Sequence, residues 1–140
     1  MTPARPTLQR LLLATAVAMV ALLAASWLVG RMLPAGWQDM VPTRWGYLSP
    51  VSYAVTAICM GLGGALAGHR FLIVAIGLTL AMWVATVAVL AGIANAASDI
   101  AYPLGYLLRT NALSAALSVA AAALGAGLGA LWYRRRAARH

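Results

Sequence analysis

Four long apolar runs, at about 8–29, 51–68, 71–94 and 104–131, constrain this chain more than any other feature of it. An α-helix rises about 1.5 Å per residue and the hydrocarbon core of a bilayer is about 30 Å thick, so about 20 mostly apolar residues make one crossing. Lipid offers no partner to a backbone N–H or C=O, so each run is predicted to be a helix that satisfies its own backbone. None of the runs alternates apolar and polar residues with period two, which argues against a transmembrane β-barrel. The expectation is a single all-α domain over 1–140, a polytopic integral membrane protein folded as a compact bundle of four transmembrane helices. A short basic tail, 132–140, completes it.

Charge placement gives the orientation. Of the 140 residues 64% are hydrophobic and 9% charged, against about 25% charged in an ordinary soluble domain. There are no lysines and no glutamates, two aspartates (Asp39 and Asp99) and ten arginines, for a formal net charge of +8. In a soluble protein that balance would suggest nucleic acid; here the arginines flank the apolar runs, no nucleic-acid motif accompanies them, and no such partner is expected. Arg5, Arg10, Arg70, Arg134, Arg135, Arg136 and Arg139 fall on one side of the four predicted spans, and Arg31, Arg44 and Arg109 on the other. The positive-inside rule then predicts both termini in the cytoplasm. Arg70, Arg134, Arg135 and Arg136 are read as the cytoplasmic anchor, attracting anionic lipid. Trp37, Trp45, Tyr47, Tyr102 and Tyr106 gather at the outer interface, and Trp132 and Tyr133 at the inner one, where amphipathic rings settle. Arginine as the main cation in an Ala/Leu/Gly/Val-rich chain fits a GC-rich bacterial genome, so a bacterial inner membrane is the expected location.

The connections differ in kind. Residues 34–50 carry Pro34, Gly36, Pro42, Gly46 and Pro50 and read as a turn-rich loop without a long helix. His69 and Arg70 leave almost no slack between the second and third runs, so those two are predicted to form an antiparallel hairpin. Asn95, Ser98, Asp99 and Pro103 mark the third connection. At the amino end, Arg5 and Arg10, the apolar stretch 11–23 and Ala24-Ala25-Ser26 imitate a secretory signal. The apolar run continues through Trp27, Leu28 and Val29, so it is read as a retained span.

Small residues supply the packing. In the second run Ala54, Ala57, Gly61, Gly64 and Gly68 recur at spacings of three and four and line one helical stripe; Asn111, Ser114, Ser118, Ala121 and Gly125 do the same in the fourth. Lipid tails are as apolar as leucine, so membrane helices associate through close van der Waals contact, which small residues permit. The first and third runs offer stripes of their own, Ala14, Ala18, Ala21, Ala25 and Gly77, Ala81, Ala85, Ala88, Gly92. The shared spacing, with Gly-Tyr-Leu at both 46–48 and 105–107, is also what a duplicated two-helix unit would leave.

Chemistry-bearing residues are scarce. No ionisable group lies at mid-depth in any run, and no paired carboxylates, nucleophile with a base, phosphate loop or metal-ligand set is present, so no enzyme activity and no cofactor is expected. Serines and threonines in the runs are expected to bond back to their own helices, while Asn111 is expected to clasp a neighbouring helix. Cys59 stands alone and reads as a small apolar filler. Asp39, Arg44, Asp99, Arg109 and Asn111 form a candidate polar site on the outer side. The functional expectation is a non-enzymatic accessory or scaffold subunit that packs with itself or with another membrane protein; the alternative is a small oligomeric transporter or channel using that outer site.

Overall fold

The computed structural model describes residues 5–34, 36, 39–44, 46–97 and 104–138. They are nearly all helical: α1 is Arg5–Met32, α2 Pro50–Ala67, α3 Phe71–Ala97 and α4 Leu104–Ala137, with a short 3₁₀ turn at Gly68–Arg70 between α2 and α3. Three stretches are long and apolar enough to cross a membrane: Leu8–Met32, Pro50–Ala96 and Leu104–Ala137. The middle one, at 47 residues, contains both the second and the third of the runs read from the sequence.

Local chemistry explains where this middle stretch starts and where it turns. Pro50 opens α2 at a position whose N–H would have had no partner anyway. The stretch is interrupted at Gly68, whose φ of 70° and ψ of −155° lie in a region open almost only to glycine. Its N–H still donates to the Gly64 carbonyl, and Phe71 N–H donates to the carbonyls of Gly68 and His69, so the turn leaves few backbone groups unpaired. Past the turn the chain doubles back: the Phe71 ring lies on Gly63, and Thr79 and Thr86 of α3 border the same cleft as Met60 and Ser52 of α2. Gly68 therefore has a different task from Gly61 and Gly64, with which its spacing groups it.

Packing follows an order that the chain order does not give. The most extensive contact is between α2 and α4, followed by α1 with α2 and α3 with α4. Consecutive α2 and α3 touch sparingly, as do α1 and α3. The short hairpin expected between the second and third runs is thus splayed, and each arm is held by α4. At the centre lie Ala14 and Ala18 of α1, Met60 of α2, Phe71 and Ala75 of α3, and Ala122 and Ala126 of α4. Phe71 and Met60 are the largest side chains fully enclosed. Leucines, valines and isoleucines instead cover the outside, among them Leu12, Val20, Leu23, Ile58, Ile73, Val84, Leu124 and Leu128, as expected where the surrounding solvent is hydrocarbon.

The 34–50 connection holds one feature not anticipated. Val41–Thr43 (β1) and Gly46–Leu48 (β2) pair antiparallel, with Val41 opposite Leu48 and Thr43 opposite Gly46, and β2 rests against α4. Pro42 sits in this two-stranded ribbon, where both strands are edges and a missing N–H is tolerated.

Candidate functional site

The α2–α4 seam is built on backbone contact. A methyl group at Gly64 would run into the Ala126 carbonyl, one at Gly125 into the Ala57 carbonyl, and one at Gly129 into the Gly61 carbonyl; at Gly61 it would stand 3.3 Å from the Gly125 oxygen. Small residues at these positions bring two helices close enough to gain dispersion contacts along their whole backbones. Of the residues singled out for packing, Gly64, Gly68, Ser118 and Gly125 are buried, Ala57, Gly61, Ser114 and Ala121 partly so, and Ala54 is exposed. Gly63, Ala122, Ala126, Gly129 and Ala130 are buried as well and lie outside the proposed stripes. Gly129 lies four residues past Gly125, whereas continuing the alternation of three and four lands on Leu128.

The stripe on α3 behaves differently. Gly77, Ala81, Ala85, Ala88 and Gly92 are all exposed, and nothing lies within 4 Å of a methyl placed at Gly77 or Gly92. This helix buries Phe71, Ala75, Thr79 and Val87 instead.

Because α2 and α3 diverge, a cleft of about 380 Å³ opens between them. Leu22, Ser26 and Val29 of α1 close one side and Ser118 of α4 forms the floor. Hydroxyls from all four helices line it: Ser26, then Ser52 and Thr56, then Thr79 and Thr86, then Ser118, with Ser49 at the α2 start. Thr79 and Ser118 are buried, whereas Ser26, Ser52 and Thr86 are exposed, so the hydroxyls extend from an open side to an enclosed floor. Thr56 donates to the Ser52 carbonyl, Thr79 to that of Ala75, Thr86 to that of Met82 and Ser118 to that of Ser114, each at 2.8 Å. The lining contains no charged side chain. Single hydroxyls in apolar runs give no sequence signal of convergence, and this site went unseen for that reason.

The polar residues named from the sequence lie elsewhere. Asp39 and Arg44 are exposed in the connection before α2, Arg109 is exposed near the start of α4, and Asp99 falls outside the described residues. Asn111 does not clasp another helix: its amide donates to Leu107 O on its own helix at 2.9 Å. The interhelical polar link nearby is Tyr53 Oη with Ser114 Oγ, 2.8 Å apart; a tyrosine long enough to reach across takes the place expected of the amide. At the helix ends, the Arg31 guanidinium lies 5.3 Å from the Trp27 ring centroid and that of Arg136 4.0 Å from Trp132, one turn apart in each case. Arg70, Arg134 and Arg135 are exposed at the same end as Arg136. Among the described residues no group of three or more His, Cys, Asp or Glu is placed to hold a metal ion.

Comparison of the chain with family models, with curated proteins and with solved structures finds no match.

Proposed function

We propose that the protein is a non-enzymatic accessory or scaffold subunit of a bacterial inner membrane. In this reading the chain crosses four times with both termini in the cytoplasm, and binds other helices through a small-residue face. The observation that supports it most is the exposed α3 stripe. Every other small-residue stripe is used wholly or partly inside the fold, but Gly77, Ala81, Ala85, Ala88 and Gly92 present a smooth, unpartnered edge on which a helix of a second copy or of another membrane protein could pack at backbone distance. Four crossings are favoured by length: 47 residues of straight helix would measure about 70 Å, more than twice the hydrocarbon thickness, and the turn at Gly68 divides them. The arginine asymmetry then sets the inside face, where Arg70 and Arg134, Arg135 and Arg136 meet anionic lipid. Purification in native nanodiscs followed by mass spectrometry tests the proposal. A specific protein partner, or a defined homo-oligomer, that is lost on Gly77→Leu is the expected result; a lone chain with unchanged behaviour would defeat it.

The hydroxyl-lined cleft favours a second reading, a small transporter or channel. It predicts flux in liposomes that depends on the cleft or on the outer residues Asp39, Arg44, Asp99, Arg109 and Asn111.

A further inference from the structure

Most hydroxyls that an apolar membrane protein carries are scattered and silent, each returning its proton to its own helix. Here they converge. Ser26, Ser52, Thr56, Thr79, Thr86 and Ser118 come from four different helices and border one space, together with the ring of Trp83 and the side chains of Leu22, Val55, Met60 and Met82. A volume of about 380 Å³ is within the range of small-molecule sites, about 300–1,000 Å³, and a mostly apolar wall with a few placed polar groups is their usual make-up.

The polarity of the lining decides what it accepts. The hydrogens of Thr56, Thr79, Thr86 and Ser118 are already given to helix carbonyls, and a hydroxyl that donates once still has lone pairs to accept with. These groups therefore present acceptors and no donors. Ser26, Ser49 and Ser52 at the open side keep hydroxyls able to donate, but a ligand that only accepts would find no partner at the floor, where Thr79 and Ser118 lie. A ligand that donates through O–H or N–H would satisfy the cleft and itself. A cation also seeks acceptors, but the lining has no carboxylate to balance it, and the chain already carries +8; an unbalanced ion is strongly disfavoured outside water.

We propose that the cleft between α2 and α3 is a binding site for a small uncharged molecule that donates hydrogen bonds, an alcohol or amide with an apolar body. Thr79 and Ser118 receive its polar end, and Trp83, Met60 and Leu22 enclose the rest. The inference gives the second functional reading its ligand class, and it holds equally for a protein that carries this ligand or only keeps it.

Fluorine NMR of 4-fluorobenzyl alcohol, 4-fluorotoluene and 4-fluorobenzylammonium tests it with three probes of nearly one shape, each compared between empty micelles and micelles holding the full chain. The alcohol should bind more tightly than the other two. Thr79→Val and Ser118→Ala should each weaken it about fivefold, the worth of one ordinary hydrogen bond, and leave 4-fluorotoluene unchanged. Both substitutions remove hydroxyls bonded only within their own helices, so no partner on another helix is orphaned; should circular dichroism show lost helix, Thr86→Val at the exposed side repeats the comparison. Equal binding of 4-fluorotoluene would make the cleft a slot for lipid chains and overturn the proposal. So would preference for the ammonium probe, or identical alcohol binding by the wild type and by the Thr79→Val and Ser118→Ala chains. Alcohol binding without alcohol flux in liposomes would remove the transporter reading and leave the binding site standing.

Discussion

At the scale of single residues, the glycines of this chain fall into groups with opposite expected responses to the same substitution. At Gly64 and Gly125 a methyl group meets backbone carbonyl of the facing helix, and backbone cannot rotate aside as a side chain can. Gly64→Ala and Gly125→Ala should each lower stability by about 1–3 kcal/mol, as overpacking does, measured by reversible unfolding in mixed micelles. Gly77→Ala and Gly92→Ala meet open space; they should leave stability unchanged or raise it by up to about 1 kcal/mol through helix propensity. Gly68→Ala belongs with the costly group for another reason, its positive φ, and should cost about 1–3 kcal/mol. Tyr53→Phe removes the bond to Ser114 and should cost only about 0.6 kcal/mol, because Ser114 can turn to its own helix.

At the scale of elements, the helices were legible in the sequence and their partners were not. The runs at about 8–29 and 104–131 correspond to α1 and α4, and the reversal at His69-Arg70 to the 3₁₀ turn, because a bilayer-length apolar run in lipid has few alternatives to helix. Which stripe packs was undecidable locally. All four runs carry small residues at helical spacing, yet α2 and α4 use theirs against each other and α3 turns its own outward. The β1–β2 ribbon was missed because three-residue strands rich in Pro and Gly carry no periodic signal. The outward stripe yields an element-scale prediction: Gly77→Leu with Ala88→Leu should leave helix content and unfolding unchanged while abolishing whatever association native nanodiscs preserve.

At the scale of the whole molecule, orientation is testable with few assumptions. Cys59 is the only cysteine and is buried, so in a Cys59→Ala background single cysteines can be placed at will. Thr2→Cys and Ala138→Cys should react with a membrane-impermeant thiol reagent only after permeabilisation, and Met40→Cys should react from outside. Chain ends reacting from opposite sides would remove the four-crossing arrangement.

The sequence alone determined which stretches are long and apolar enough to cross a membrane. Its apolar runs, their lengths and the arginines between them follow from one transfer free energy, which each residue carries independently of its neighbours in space. Tertiary structure decided the rest: that α4 holds α2 and α3 apart, that glycines on two helices meet backbone while those on a third meet nothing, and that seven scattered hydroxyls border one cleft. Those outcomes depend on the rotation and register of one helix against another, and van der Waals fit between helices is a property of the pair.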